Sequence, residues 1–175
     1  VIAYAAKQLL PKSKVTIMST DKDFLQLVSD RISVWSPTKK KLYNPEMITE
    51  EYGVTPNNLL MCRIFDGDQS DNIKGVLGIG TKTLLKNFPS MKDGSYYSVE
   101  DIIKTAVAKQ DTESGNFYKT ILEQKDTMFM NRRLMQLQDV DISGSAKLKV
   151  NNIVNGKIQE LVKMKFQKMF IEDRM

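Results

Sequence analysis

A glycine-punctuated segment in the middle of the chain constrains the fold more than any other feature. Glycines at positions 75, 78 and 80 are separated by apolar or small residues, and the patterns on either side predict helices at 56–65 and 81–88. Glycine permits the tight turns and close backbone approaches that such a spacing demands. The segment is therefore expected to fold as a hairpin between two helices.

The start of the second of these helices is a candidate phosphate site, because its free N–H groups carry the positive end of the helix dipole. Lys82 and Lys86, one helical turn apart, add positive charge there. The glycine spacing lacks the full dinucleotide-binding fingerprint, and it fails the Gly-x-x-x-x-Gly-Lys pattern of a P-loop. It is instead typical of the helix–hairpin–helix motif that holds a DNA backbone, which we place at about residues 59–88.

Two groups of carboxylates precede this hairpin. Asp21 and Asp23 follow a predicted buried strand, and in open α/β sheets the carboxyl ends of the strands line the ligand crevice. The alternative is that they cap the next helix. In the second group, Asp66, Asp68 and Asp71, the last two share one face of a helical turn and can bind one ion. The alternative there is an exposed acidic loop, since the spacing does not match an EF-hand.

Composition narrows the chemistry that these residues can perform. The chain has 175 residues, no histidine and one cysteine, Cys62. A Cys/His zinc site, a Ser-His-Asp group and an intrachain disulfide are therefore excluded. Oxygen ligands remain, and they suit Mg²⁺ or Mn²⁺. The chain carries one acid pair, then a second acid pair, and then a phosphate-binding hairpin. This order indicates a phosphodiesterase that uses two divalent ions about 3.5–4 Å apart.

The order of the predicted elements indicates an α/β fold over residues 1–45. Helices and strands alternate there, which is typical of the tail of a parallel α/β layer. The helices are predicted at 2–10 and 24–28, and the strands at 14–19, 32–35 and 41–43, the last pairing with the strand before it.

From residue 46 to residue 175 the pattern becomes mostly helical, which predicts a second region. Further helices are expected at 98–109 and 117–135, then a polar loop or weak strand pair at 142–156, and a basic amphipathic helix at 156–173. No apolar run approaches the roughly 20 residues that span a bilayer. We expect no membrane contact, a cytoplasmic location and a monomer.

Three segments form an ordered set of motifs: Thr20-Asp21-Lys22-Asp23-Phe24-Leu25-Gln26-Leu27, Gly67-Asp68-Gln69-Ser70-Asp71-Asn72 and Gly75-Val76-Leu77-Gly78-Ile79-Gly80-Thr81-Lys82-Thr83. Together they resemble the 5′ nucleases of the flap-endonuclease superfamily, which include the 5′–3′ exonuclease domain of DNA polymerase I and phage ribonuclease H. The resemblance covers roughly residues 1–90. It implies the rear part of a parallel-sheet nuclease core, followed by a helical region with a helix–hairpin–helix motif.

The resemblance also implies a role for each matched residue. The ligands of two divalent metal ions, Mg²⁺ or Mn²⁺, match Asp21, Asp23, Asp68 and Asp71. The hairpin that holds DNA, in some family members with a K⁺ ion on its carbonyls, matches Gly75, Gly78, Ile79, Gly80, Thr81, Lys82 and Thr83, and Lys86 follows it one turn later. Asp66 falls where the family is not generally acidic, so we interpret it as a loop acid.

Family members carry a preceding half with further acidic ligands and a helical arch, whereas this chain begins within a predicted helix. We therefore expect the N-terminal half to be absent, and these 175 residues alone to bind DNA weakly and cleave it poorly or not at all. The expected substrates of the parent are branched or nicked duplexes, 5′ flaps or RNA–DNA hybrids.

Two other functions compete with the nuclease. A non-catalytic helix–hairpin–helix module would bind DNA without needing the four carboxylates to converge. A phosphatase with an Asp-x-Asp nucleophile would leave the hairpin without a purpose. Convergence of the carboxylates within roughly 8 Å is the geometry that two-metal chemistry requires.

Overall fold

The structure is a computed structural model that describes residues 1–112, 115–139, 142–157 and 162–172. The chain divides into two compact units, residues 2–141 and residues 142–175 together with Val1. Across the described ranges, no helix is both long enough and apolar enough to cross a membrane.

A three-stranded sheet forms the first part of the larger unit. Its strands are β1 (Val15–Met18), β2 (Ile32–Ser36) and β3 (Lys41–Tyr43). β1 pairs with β2 in parallel, and β3 returns antiparallel to β2. Alternate residues of β2 are buried, which is the pattern of a strand with one face on the core. The predicted strands, the parallel pair and the returning third strand are all confirmed.

Helices precede, separate and follow the strands of this sheet along the chain. The first is a short α-helical turn that continues as a π-helix, α1 (Ile2–Tyr4) and then Ala5–Leu9. A 3₁₀-helix at Lys22–Leu27 follows β1. After the sheet come α2 (Pro45–Tyr52), α3 (Pro56–Asp66), the short strands β4 (Gly67–Asp68) and β5 (Ile73–Lys74), α4 (Thr81–Asn87), a 3₁₀-turn at Pro89–Met91, α5 (Val99–Lys109), α6 (Phe117–Glu123) and α7 (Lys125–Met135). The smaller unit contains α8 (Gly144–Val154) and α9 (Lys163–Glu172).

Local sequence signals explain where several helices begin and end. Asn44 caps α2, with Pro45 in the first turn, and the left-handed Gly53 ends that helix. Ser98 and Asp101 form a capping box at α5, as the sequence predicts. The mixed α/β fold is thus confirmed.

Three predicted elements differ from the structure. The expected helix at 117–135 is interrupted at Gln124, whose backbone is not helical and separates α6 from α7. The Gln124 side chain accepts a hydrogen bond from the Leu77 N–H. The expected loop or weak strand pair at 142–156 is instead the helix α8, which Ser143 caps through the Ala146 N–H. The last helix starts at Lys163 rather than at residue 156, and residues 158–161 and 173 lie outside the described part.

Helix α3 is the central packing element of the larger unit. It packs against the 3₁₀-helix after β1 and against α2, α4 and α7. Most of its side chains are buried, among them Leu59, Ile64 and Phe65. Because its C-terminal residue Asp66 leads directly into β4, α3 fixes where the second acidic segment lies relative to the first.

Candidate metal-binding and nucleic-acid-binding site

The first acidic segment is the turn between β1 and the 3₁₀-helix. Asp21 caps this helix, since its Oδ1 accepts a hydrogen bond of 2.8 Å from the Asp23 N–H. The Asp21 N–H in turn donates to Ser19 Oγ at 3.1 Å. The capping interpretation is therefore correct for Asp21. Capping also holds the carboxylate in one orientation, which a metal ligand requires as well.

The buried side chain of Gln26 anchors the 3₁₀-helix that carries Asp23. Its amide donates to the Met135 carbonyl and accepts from the Leu137 N–H, both at 2.9 Å. Gln138 donates to the Gln26 carbonyl at 2.7 Å. These bonds tie the acidic turn to the chain that leaves α7, 109 to 112 residues later.

The second acidic segment is the hairpin of β4 and β5. Asp68 Oδ1 accepts hydrogen bonds from the Ser70 N–H at 2.9 Å and from the Ser70 hydroxyl at 2.5 Å. The Ser70 hydrogen bonds, together with the hydrogen bond and the charge of Arg63, lower the pKa of Asp68 to about 2. Asp71 lies exposed in the turn that links the two strands. The hairpin therefore presents one firmly ionised carboxylate and one solvated carboxylate.

Buried Asn131 of α7 holds this hairpin against α3. Its amide nitrogen donates to the carbonyls of Ile64, at 2.9 Å, and of Lys74, at 2.8 Å. The carbonyls belong to the last turn of α3 and to β5, so one side chain secures both ends of the acidic segment.

Arg63 joins the two acidic segments. Its Nη2 lies 2.6 Å from Asp23 Oδ1 and 2.5 Å from Asp68 Oδ2. All three side chains are largely buried, with 16–21% of each exposed. Burial raises the pKa of Asp23, an effect that Arg63 opposes and the charge of Asp21 reinforces. Removing water from around a carboxylate disfavours its charged form, and the positive charge of Arg63 offsets part of that effect at Asp23.

An open cleft of about 570 Å³ lies beside this cluster, and among its lining residues are Thr20, Asp21, Lys22, Arg63, Asp68 and Asp71. Three of the four predicted metal ligands line it, and the fourth, Asp23, contacts the same guanidinium as Asp68. Throughout the described ranges, however, no three acidic, histidine or cysteine side chains stand together as a ready metal-binding group. The structure thus brings two acidic segments to one cleft, with a guanidinium between two of their carboxylates.

The glycine-punctuated segment follows β5. Gly75 lies so close to the backbone of Phe65 and Asp66 that a Cβ atom at this position would not fit. The adjacent Val76 N–H donates to the Phe65 carbonyl at 2.8 Å. Gly78 is exposed and has a φ of 82°, a conformation that favours glycine. Gly75 is therefore required by packing, whereas Gly78 lies at the exposed tip of the loop.

The Asp66 carboxylate lies at the start of α4, where the sequence predicts free N–H groups. Its carboxylate accepts from the Thr81 N–H at 2.7 Å and from the Thr81 hydroxyl at 2.6 Å. The prediction of free N–H groups is therefore wrong at Thr81, because an acid 15 residues earlier already caps this helix. The interpretation of Asp66 as a simple loop acid is wrong for the same reason.

The remaining predicted DNA-binding residues fall into two groups. Ile79 has a buried side chain, with 3% exposed, and its N–H donates to the Val76 carbonyl, so it anchors the loop. The exposed ones lie on the loop and the first turns of α4: Gly78, Gly80, Lys82, Thr83 and Lys86. These are the positions that a phosphate backbone could reach.

Sequence reasoning did not assign the observed contacts of three residues in this region: Arg63, Asp66 and Gln124. Gln124 pairs with the backbone of Leu77, accepting from its N–H at 2.7 Å and donating to its carbonyl at 2.9 Å. Each of these contacts joins residues that are distant in sequence or on different elements. The one local signal was the position of Arg63 five residues before Asp68, near the end of an otherwise apolar helix face.

Comparisons with known proteins bear on this geometry. Residues 1–53 match the family described as 5′–3′ exonuclease, N-terminal resolvase-like domain. A 5′–3′ exonuclease of Buchnera aphidicola subsp. Schizaphis graminum is 40% identical over 104 residues, which is 58% of this chain and 35% of that protein. Flap endonuclease Xni of Pseudoalteromonas translucida is 33% identical over 134 residues, which is 75% of this chain and 48% of that protein.

A solved structure shares the fold. The T5 5′-exonuclease with bound zinc ions superposes with a TM-score of 0.62 at 27% identity, over 78% of this chain and 48% of that one. The chain thus spans between a third and a half of the length of these proteins.

Proposed function

We propose that this chain, a relative of the 5′–3′ exonucleases of the flap-endonuclease superfamily, is part of a metal-dependent 5′ nuclease. Its substrates would be branched or nicked DNA, 5′ flaps or RNA–DNA hybrids. The observation that carries the proposal is the meeting of Asp23 and Asp68, from separate segments, at one cationic side chain beside an open cleft. Relatives named as exonuclease and flap endonuclease support it.

The carboxylates fit divalent metal ions. Within the described residues, the buried Asp23 Oδ1 has no hydrogen-bond partner, although a guanidinium stands next to it. A carboxylate oxygen that is largely buried and balanced only by an ion pair is suited to a hard cation. We propose Asp21, Asp23, Asp68 and Asp71 as ligands of two Mg²⁺ or Mn²⁺ ions, which when bound would polarise the attacking water and the leaving oxygen.

The chain's own residues would prepare this site. Ser70 keeps Asp68 ionised and oriented, and the cap at Asp21 restrains the other acidic segment. Asn131 and Gln26 fix the two segments to α7 and to the residues after it. Such positioning places negative ligands without the reorganisation that a loose site would need.

The exposed loop and α4 would contact the nucleic acid. We propose residues 59–88 as a helix–hairpin–helix within a helical region at 46–175, following the rear of the nuclease core at 1–45. Gly78, Lys82 and Lys86 are exposed and could contact a phosphate backbone. The loop carbonyls could in addition bind a K⁺ ion. Backbone contacts of this kind read structure rather than sequence and weaken with salt.

A second candidate function is a non-catalytic DNA-binding module. It is favoured by one observation, that the described residues contain no group of three carboxylates at metal-binding spacing. Such a module would bind DNA through the same loop without any need for divalent ions.

Asp68→Asn tests the choice between these functions, with Asp93→Asn as a control at an exposed acid outside the cleft. In a 5′-labelled flap assay with Mg²⁺, the parent protein should lose activity at least about hundredfold with Asp68→Asn, because several kcal/mol of stabilisation depend on the ions. Asp93→Asn should remain active. We expect the 175-residue chain alone to cleave poorly, because it spans only between a third and a half of the length of its relatives. Equal activity of the two variants would refute the metal-dependent nuclease.

A further inference from the structure

We infer that Arg63 is a built-in counter-cation that neutralises Asp23 and Asp68 until a divalent metal ion displaces it. The inference deepens the proposed function and rests on it, since it assigns a role in metal occupancy to a residue outside the four proposed ligands. One nitrogen, Nη2, contacts both carboxylates, at 2.6 and 2.5 Å. A single positive group therefore takes the position between two oxygens of the acidic cluster.

The details of this contact distinguish a replaceable cation from a permanent structural ion pair. A buried guanidinium in a lasting pair uses its fork of donors in parallel hydrogen bonds. Within the described residues, Arg63 Nε is buried and has no hydrogen-bond partner, and the guanidinium reaches both carboxylates through Nη2. The pair thus has the charge balance of a salt bridge but not its full set of hydrogen bonds.

A divalent cation is the partner that would exchange with this guanidinium. The oxygens involved are carboxylate oxygens, and the cluster opens onto the cleft of about 570 Å³ that Asp21 and Asp71 also line. Arg63 itself lines that cleft, so its side chain has space to move into when it leaves the carboxylates. Mg²⁺ and Mn²⁺ favour oxygen donors and retain several waters, which an open cleft can accommodate.

In this scheme Arg63 and the metal ion compete for the same carboxylate oxygens, and the competition lowers the affinity for the metal ion. A metal that binds next to Arg63 meets a positive charge a few ångströms away, and it must also break the existing ion pairs. Removing that charge should therefore tighten divalent-ion binding by about tenfold or more. The same change should destabilise the metal-free protein, because Asp23 and Asp68 are then left close together without a counter-charge.

The test is a Mn²⁺ titration of the 175-residue chain, with free Mn²⁺ measured by electron paramagnetic resonance and no nuclease assay involved. Arg63→Gln should bind Mn²⁺ about tenfold or more tightly than the unchanged chain. Arg63→Lys keeps the charge and should stay near the unchanged chain, and it guards against a glutamine variant that fails to fold. Arg132→Gln is the matched control, since it removes an arginine that pairs with Glu100 instead.

Thermal melting gives an independent readout. With EDTA, Arg63→Gln should melt below the unchanged chain, and added Mn²⁺ should raise its melting temperature by more than that of the unchanged chain. A merely structural Arg63 would lower the melting temperature by the same amount with and without Mn²⁺.

Asp68→Asn, made in the unchanged chain and in Arg63→Gln, distinguishes failure of the displacement role from failure of the proposed metal site. Binding that Asp68→Asn abolishes, but that is equal or weaker in Arg63→Gln, would overturn the displacement role and leave the proposed metal site standing. Mn²⁺ binding that is absent, or that does not respond to Asp68→Asn, would overturn the metal site and the displacement role together.

Discussion

Replacing Asn131 by alanine tests how the second acidic segment is held. The Asn131 side chain is buried, with 1% exposed, and its amide bridges the Ile64 and Lys74 carbonyls. Each lost hydrogen bond is worth about 0.5–1.5 kcal/mol, and a buried carbonyl left without a partner costs about 1–3 kcal/mol. We therefore expect Asn131→Ala to lower the free energy of unfolding by about 3 kcal/mol, which for a chain of this size lowers Tm by roughly 6–12 °C.

The measurement is urea unfolding followed through the fluorescence of Trp35, the single tryptophan, which lies in the same compact unit as Asn131. Asn87→Ala is the matched control, because it removes the same amide from one exposed hydrogen bond, to the Thr83 carbonyl at 2.9 Å. That control should change the unfolding free energy by no more than about 0.5 kcal/mol. If Asn131→Ala is no more destabilising than Asn87→Ala, the bridge does not hold the hairpin and this reasoning is refuted.

Two further predictions concern charges away from the central cluster. Hydrogen bonds from Lys41, and then from Lys39 and Tyr43, lower the pKa of Glu51 from 4.5 to about 2. Its contribution to stability is therefore complete above about pH 4.5 and is lost as the pH falls towards about 2. Glu51→Gln should remove part of the fall in Tm measured between about pH 5 and about pH 3, and an unchanged slope would contradict it. Asp66→Asn keeps an oxygen to cap α4 but removes a negative charge beside the hairpin, so it should strengthen DNA binding a few-fold at low salt and less at high salt. Asp101→Asn, which alters the cap of α5, should leave DNA affinity unchanged in the same anisotropy measurement.

The strands and most helix boundaries could be predicted because their signals are local. β2 alternates buried and half-exposed residues, α2 carries Asn44 and Gly53 at its two ends, and α5 has the Ser98–Asp101 capping box. Each signal lies within a few residues of the boundary that it sets. The interruption at Gln124 lacked such a signal, because the bonds of that side chain to Leu77 join positions 47 residues apart.

The sequence pointed to the acidic residues of the candidate site but not to the cation that they contact. Asp21, Asp23, Asp68 and Asp71 stand out in the sequence because they form, with the glycine-punctuated segment, an ordered set of motifs. The cation that two of them meet could not be assigned, since Arg63 contacts Asp23 across 40 positions and only the packing of α3 on the 3₁₀-helix brings them together. For the same reason the sequence suggested free N–H groups at α4, where Asp66 in fact accepts from Thr81.

These contacts share one origin, the C-terminal half of helix α3. The Arg63 side chain contacts Asp23 of the first acidic segment and Asp68 of the second. Asp66 caps α4 next to the glycine-rich loop, and the Ile64 carbonyl accepts a hydrogen bond from Asn131 of α7. An apolar helix buried on several sides cannot rotate without breaking its packing, so these three residues hold fixed directions relative to one another. A substitution that shifts α3, such as a truncation of fully buried Ile64, should therefore disturb the acidic cluster and the loop together. Loss of Mn²⁺ binding and of DNA binding in parallel would mark α3 as their common support, whereas loss of one alone would show that the two sites are held separately.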